Sequence, residues 1–315
     1  MRIFGANDNF PLPGLRPVVT LGVFDGVHLG HLVIIEDLMA TARKIGAPAL
    51  VVTFNPHPRQ ALGRSAPSGI CSLEGRLRRL SETGLDATWV LPFTRELSRV
   101  SGREFVEEYF HRRLAAGVVV LGQAAVFGRD REGNVGNLAE WVEGLGIQVR
   151  VISPFVVKGT VVSSTAVRLA VQSGELDKAT SLLGRRPSIE GTVVRGQGNG
   201  RHLGFPTLNV DPHHELRPPP GVYLTRTVID GAWFASVTNI GRPPTEAEIG
   251  AGLADFLIET HLLDYSGDLY ARTVEVFFYR KLREVMRFSR SSGLVRQVSQ
   301  DLNAARQWFA DHPEN

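Results

Sequence analysis

One cysteine, Cys71, is the whole thiol inventory of 315 residues, which excludes an internal disulfide and a cysteine-rich metal site. Long apolar runs are missing as well. Stretches such as Ala49–Thr53 and Val118–Leu121 fall far short of the roughly 20 residues that cross a bilayer. Met1–Arg16 has an early arginine but no apolar segment of the kind a secretory signal carries. A reducing cytoplasm without a membrane partner is the expectation. Charge of one sign is also scarce: 35 basic against 32 acidic residues leave a formal +3. The arginines form no long basic run, so electrostatics gives no case for a nucleic-acid partner. Internal repeats and low-complexity tracts are absent. What remains is an ordinary globular composition, 43% hydrophobic and 21% charged, at a length that suggests two domains. Positive residues beside glycine-rich turns fit phosphate-bearing small molecules.

The first part of the chain alternates. Val18–Phe24 reads as a buried strand, and Leu32–Lys44 has helical spacing. Ala49–Phe54 is a second strand, stopped by Pro56 and Pro58. Helical Leu73–Thr83, strand Ala87–Leu91, helical Arg103–Ala115, strand Val118–Leu121, helical Leu138–Gly144 and strand Gln148–Ile152 follow. This alternation predicts a parallel sheet covered on both faces, with ligands beyond the carboxyl ends of its strands. Short helices are expected at Ser164–Ser173 and Leu176–Leu183. Past Arg185–Ser188 the pattern changes. Ile189–Arg195, Gly221–Ile229, Trp233–Asn239, Asp255–Leu262 and Arg272–Tyr279 are rich in β-branched and aromatic residues. A helical pattern returns only at Gly293–Phe309. These segments predict a small antiparallel barrel with a terminal helix. The fold expected is therefore α/β with an added barrel, residues 1–185 forming one domain and 186–315 the other. Trp141, Trp233 and Trp308 read as packing residues.

Gly22-Val23-Phe24-Asp25-Gly26-Val27-His28-Leu29-Gly30-His31 follows a strand and opens a helix. Its glycines allow close backbone approach, and the helix start offers free N–H groups to phosphate. His28 and His31 can reach one polyphosphate. Alone, the segment is as well read as a strand–helix turn with surface histidines. Val162–Arg168 places the hydroxyls of Ser164 and Thr165 at an expected helix start, with Arg168 after them, again suited to phosphate oxygens. Alone, it is a hydroxyl cap with an exposed arginine. In the second part, Gly191–Gly196, Gly198, Gly200-Arg201 and Leu203–Asn209 form a glycine-dense loop ending in Pro206-Thr207-Leu208-Asn209. The Thr207 hydroxyl and Asn209 amide oxygen, two residues apart, face one way and suit Mg²⁺. Alone, this is a barrel hairpin.

In company, these motifs carry a resemblance. Gly22–His31 with Ser163–Arg168 resembles the HxGH nucleotidyltransferase superfamily. Val52-Thr53-Phe54-Asn55-Pro56-His57-Pro58 and Phe105-Val106-Glu107 narrow it to the bacterial bifunctional riboflavin kinase/FAD synthetase family. The C-terminal motifs resemble the same family's kinase in order: Pro219–Tyr223, Thr238–Gly241, Ile258–Asp264 and Ser266–Tyr270.

The resemblance implies a Rossmann-like adenylyltransferase domain and a riboflavin kinase barrel. With ATP as co-substrate and Mg²⁺, riboflavin would become FMN and FMN would become FAD with release of pyrophosphate. It assigns His28 and His31 to the reacting phosphates, and Gly22, Phe24, Asp25, Gly30, Ser164, Thr165 and Arg168 to the nucleotide. Asn55, Pro56, His57, Pro58 and Arg283 would face flavin. In the barrel, Gly196, Gly204 and Pro206 would cradle phosphate, Thr207 and Asn209 would hold the metal, and Glu259 would be the base.

The chain also departs from that pattern. Val23 stands where the family has Asn, and Ala124 and Ala125 replace an acid and an aromatic residue in Gly122–Gly128. Gly198 and Asn199 stand where basic residues are usual, Pro243–Gly252 is atypical, and the acid near Arg283 is displaced to Glu284. Two rivals follow: a paralogue with another acceptor, and a catalytically silent flavin-binding regulator.

Overall fold

A computed structural model of the chain describes residues 1–5, 8, 16–63, 65–196, 199–214, 216–241 and 256–313, excepting the side chains of residues 199 and 201. Gly198, the Pro243–Gly252 loop and Asp255 lie outside the described residues. The chain forms two units: Met1–Ser68 with Leu73–Ala166, and Gly69–Ser72 with Val167–Asn315.

The first unit is built on six parallel strands: β1 (Arg2–Phe4), β2 (Val18–Leu21), β3 (Ala49–Asn55), β4 (Ala87–Pro92), β5 (Val118–Gly122) and β6 (Gln148–Ile152). Their order in the sheet is β1-β4-β3-β2-β5-β6. Successive residues of β2 enter different cores, as the period of two demands. Val18 packs with Ile35 and Leu38 of α1 (Leu29–Ile45), whereas Val19 and Leu21 pack with Phe105, Phe110 and Leu138. Both faces are therefore buried, which is why β2, β3 and β5 read as continuous apolar runs. The chain winds outward from β2 through β3 to β4 and then returns to β5 on its other side. The strand order thus reverses between β2 and β5, and such switch points open a crevice at the carboxyl edge.

Other helices of this unit are the single turn α2 (Pro58–Ala61), α3 (Leu73–Glu82), α4 (Gly102–Phe105), and α5 (Val135–Trp141). The expected helix over Arg103–Ala115 is present, but after α4 it continues over Val106–Arg113 in the wider π form. Its i→i+5 hydrogen bonding lines up Phe105 and Phe110, five apart and both buried against the sheet. β1 escaped the pattern reading because it is short and half exposed, with Ile3 55% exposed. β2 stops at Leu21, three residues before the strand expected there, and α1 starts three earlier than its spacing suggested.

In the second unit α6 (Ser164–Gln172, whose first residues belong to the other unit) and α7 (Leu176–Leu183) precede a closed six-stranded barrel. Its strands are β9 (Ser188–Val194), β10 (Leu208–Pro212), β11 (Gly221–Ile229), β12 (Ala232–Gly241), β13 (Leu257–Leu262) and β14 (Thr273–Arg283), ordered β10-β13-β12-β11-β14-β9. The short β7 (Val156–Val157) and β8 (Thr160–Val161) pair as a hairpin in the first unit. A single turn α8 (Asn199–His202) follows β9, and α9 (Ser291–Asp311) ends the unit. Ile189, Val193, Ile240, Ile258, Val276 and Phe278 fill the barrel with Leu176 of α7. α9 seals the outer face by packing Leu302, Ala305 and Phe309 on Val222, Leu224 and Tyr279. Thr225, Thr227, Ser236, Thr238 and Thr260 are fully buried, and their hydroxyls satisfy one another at 2.8–2.9 Å, as buried polar groups require. The tryptophans pack: Trp141 edge-on to Phe127, Trp308 on Tyr279 and Phe309, and the half-exposed Trp233 on Phe277.

Candidate active sites of the two units

At the first unit's carboxyl edge, three adjacent parallel strands end in the segments that the motifs occupy. β2 leads to residues 22–28, β3 to 55–58, and β5 to 122–128. Between Leu21 and α1 the backbone turns tightly. Phe24, Gly26 and Val27 all have positive φ, at 53°, 79° and 39°. For Phe24 and Val27 that region is costly, and both side chains are held there by burial, at 2% exposure each. His28 caps α1: its Nδ1 accepts from the His31 N–H at 3.3 Å, so a neutral ring carries its proton on Nε2. The His28 and His31 rings stack with centroids 3.6 Å apart, and Phe24 lies 4.9 Å from His31.

The HxGH spacing owes its glycine to a close approach. A β-carbon at Gly30 would come 3.1 Å from the Val162 carbonyl oxygen and 3.3 Å from the His28 ring. That contact also shows where α6 begins, since Ser164 Oγ donates to the Asp25 carbonyl at 3.2 Å. The structure thus brings Gly22, Phe24, buried Asp25, His28, Gly30, His31, Ser164 and Thr165 to two converging helix starts, with Arg168 one turn further along α6. Helix N-termini that meet in this way concentrate unpaired N–H groups and positive potential.

Asn55, Pro56, His57 and Pro58 stand on the neighbouring strand end. His57 caps α2 by accepting from the Arg59 N–H at 3.2 Å, and Pro58 opens that turn, where a missing N–H costs nothing. Ala124 is exposed and Ala125 half-buried beyond β5, so the positions that depart from the family pattern border the same crevice.

The second unit places its chemistry on strands. Asn209 on β10 lies opposite Glu259 on β13, and Glu259 lies opposite Asn239 on β12. Three polar side chains therefore form one row across adjacent strands, on the face opposite to buried Thr260. Asn239 Nδ2 donates to Glu259 Oε2 at 3.3 Å, which orients the carboxylate. A cavity of about 590 Å³ opens over this row, lined by Gly196, Gly200, Thr207, Asn209, Glu259 and Arg283 among others. Its far wall is apolar, made by Val285, Met286, Phe288, Leu294 and Val298. Glycine is needed where the loop crosses the row. A β-carbon at Gly196 would overlap the Asn209 amide, and one at Gly200 would come 3.1 Å from Thr207 Oγ. Gly204 has φ 86°, a left-handed turn that brings Pro206 and Thr207 to the mouth. His261 Nδ1 lies 2.8 Å from the Pro206 carbonyl oxygen, a contact that ties this turn to β13.

The acid beside Arg283 is not the neighbour expected from the sequence. Glu284 is exposed and pairs with Lys281 at 2.6 Å. Arg283 is instead gripped by Asp301 of α9, with Nη2–Oδ2 at 2.7 Å and Nε 3.1 Å from both carboxylate oxygens. Gln297 also donates to Asp301 at 3.0 Å. Asn239 and Asp301 were the residues of this site that sequence reading left without a role. For Asn239 a signal existed, its place in Thr238–Gly241, but no spacing in the sequence relates Asp301 to a strand 18 residues earlier.

Two family models match the chain: FAD synthetase over residues 15–166 and riboflavin kinase over residues 183–309. A bifunctional riboflavin kinase/FMN adenylyltransferase of Pseudomonas fluorescens is 37% identical across 94% of this chain and 95% of its own length. The Escherichia coli K12 protein of the same name is 34% identical over 93% and 92%. Among solved structures, a Streptococcus pneumoniae chain described as a macrolide-efflux protein superimposes with a TM-score of 0.85, covering 98% of this chain and all of that one at 26% identity. Among the described residues no helix is long and apolar enough to cross a membrane. With an HxGH segment on a doubly wound sheet and an Asn-Glu-Asn row on a barrel, in that order, the chain belongs to the bifunctional riboflavin kinase/FMN adenylyltransferase family.

Proposed function

We propose that residues 186–315 phosphorylate riboflavin and that residues 1–185 adenylylate the resulting FMN, both with ATP in the cytoplasm. The observation that carries the kinase half is the Asn209–Glu259–Asn239 row beneath a cavity of about 590 Å³, a volume suited to small-molecule substrates. Glu259 takes the proton of the ribityl 5′-hydroxyl as that oxygen attacks the γ-phosphorus, and the bond to ADP breaks. Asn239 holds the carboxylate in position for this. The apolar wall of Val285, Met286 and Phe288 suits a flavin ring, while Arg283, fixed by Asp301, sits at its edge.

Among the described residues no cluster of three His, Cys, Asp or Glu side chains could hold a metal by itself. The hydroxyl of Thr207 and amide oxygen of Asn209 are hard donors beside a glycine cradle, which fits Mg²⁺ shared with substrate phosphates. Bound there, the ion would neutralise charge on the transferring phosphoryl group.

In the first unit the FMN phosphate attacks the α-phosphorus of ATP and pyrophosphate leaves. No side chain need form a covalent bond. His28, His31 and the two helix starts stabilise the developing charge, with Ser164, Thr165 and Arg168 on the triphosphate and the Asn55–Pro58 loop beside the flavin. Chromatography of the products formed from riboflavin and Mg–ATP tests both halves. FMN followed by FAD is the expected sequence, FMN alone would overturn the adenylyltransferase half, and no FMN would overturn the kinase half, with FMN then supplied directly to test the other.

A further inference from the structure

The ends of β2 and β3 are joined from below by a charge that the described chain leaves uncompensated. Arg76, in the first half of α3, is 6% exposed. Its Nη1 donates to the Phe54 carbonyl at 2.9 Å and to Thr53 Oγ at 3.1 Å. Thr53 Oγ donates onward to the Val23 carbonyl at 3.0 Å. Arg76 Nε has no hydrogen-bond partner, and no carboxylate among the described residues pairs with the guanidinium. Phe54 hands the chain to Asn55–Pro58, and Val23 lies in the Gly22–His31 segment. One side chain therefore fixes the backbone of two of the three strand-end loops that border the crevice.

Hydrogen bonding alone does not account for an arginine here. A glutamine amide also has two N–H donors and carries no charge, whereas a guanidinium keeps its proton at every working pH. Burying a cation without an anion is costly, and proteins normally pair such charges. The missing anion can come from a ligand, because the crevice above Arg76 is the one with converging helix starts.

We propose that Arg76 is a positioning residue of the adenylyltransferase site whose uncompensated positive charge is answered by the phosphate groups of the bound nucleotide. This rests on the reading of residues 22–31 as the phosphate-facing segment. The charge acts through the low-polarity floor of the crevice, where a unit charge is screened less than in water, and the Thr53–Val23 relay keeps the loop above it in place.

The test uses the full chain with Arg76→Gln and Arg76→Lys. Steady-state FAD formation from FMN gives KM for ATP, and inhibition by added pyrophosphate reports anion affinity in the same step. The thermal midpoint of the first unit's unfolding transition reports its folding, and riboflavin phosphorylation serves as the control from the other unit. Arg76→Gln is expected to raise KM for ATP and the pyrophosphate inhibition constant together, by about tenfold. Arg76→Lys keeps the charge and is expected to restore both to within about threefold of wild type. A Gln variant with both constants unchanged would overturn the inference, as would a Lys variant as impaired as the Gln one, because a purely structural role does not distinguish them by charge. Should Arg76→Gln fail to fold, seen as loss of the first unit's cooperative thermal transition, Arg76→Lys decides: near-native constants support the role and a tenfold rise overturns it. Absence of FAD formation by the wild type is a different result, which would overturn the functional reading of this unit itself.

Discussion

In the proposed assignment the two units handle phosphate by different means. In the first, the site is made of backbone: strand ends, a strained turn and two helix starts, with His28, His31 and Ser164 added at the ends. In the second, a glycine loop lies over a row of side chains, Asn209, Glu259 and Asn239, whose spacing is dictated by strand register. A site of backbone N–H groups depends on how closely chain segments approach, so its sensitive positions are glycines and caps. A site of register-matched side chains depends on one functional group per strand, so its sensitive position is a single carboxylate.

This contrast predicts where each unit breaks. Glu259→Gln removes the carboxylate proposed as the base of the barrel, and FMN formation should fall by at least 10²-fold. FAD formation from supplied FMN should persist, and chromatographic assay of both reactions in the same preparation checks this. Equal loss of both would mean that the units are not independent. His28→Ala or His31→Ala should lower FAD formation by roughly 100-fold while leaving riboflavin phosphorylation intact. Gly30→Ala should act in the same direction, because its new methyl group meets the Val162 carbonyl and the His28 ring.

Smaller effects sharpen the comparison. Ala124→Asp with Ala125→Phe refills the edge of the crevice with the family's residue types. The variant should shift the KM for FMN several-fold and leave kcat nearly unchanged, since only acceptor binding is touched. A fragment beginning near Arg186 should fold and phosphorylate riboflavin, but one beginning at Val167 should be the more stable. It keeps α7, whose Leu176 is 6% exposed within the barrel core, and burial of one such side chain is worth about 2 kcal/mol. Urea titration of the two fragments measures the difference, and equal midpoints would show that α7 contributes nothing.

Last, burial raises the phenols of Tyr223 and Tyr279 above their ordinary range. The folded barrel therefore holds these protons after the unfolded chain has released them, so their contribution is complete below about pH 10 and declines as pH rises further. Thermal midpoints of the Val167 fragment should fall above that pH, and less steeply in Tyr279→Phe.

Much of this architecture was legible in the sequence. The change from strand–helix alternation to β-branched segments after Arg185 is a local property of the chain, because side-chain periodicity follows directly from helix and strand geometry. The HxGH segment and Thr207-Leu208-Asn209 were legible for the same reason: each packs its candidate groups into a few consecutive residues. β1 was harder because it is three residues long, and β10 because its first residues, Leu208 and Asn209, read as the end of the glycine-dense loop. The π form after α4 was hidden because its apolar residues also fit an ordinary helix.

What the sequence by itself determined, then, was the order of elements and the types of chemical group available at each strand end. Tertiary structure alone decided their pairing. The partner of Arg283 is Asp301 rather than adjacent Glu284, because α9 must cover the barrel's outer face with Leu302, Ala305 and Phe309 and so presents Asp301 to β14. Likewise, Asn239 and Glu259 meet only through the register of β12 and β13, and Arg76 reaches Thr53 only because α3 packs beneath β3. Such pairings join residues distant in the chain, and their energies depend on burial that no local pattern of residues contains.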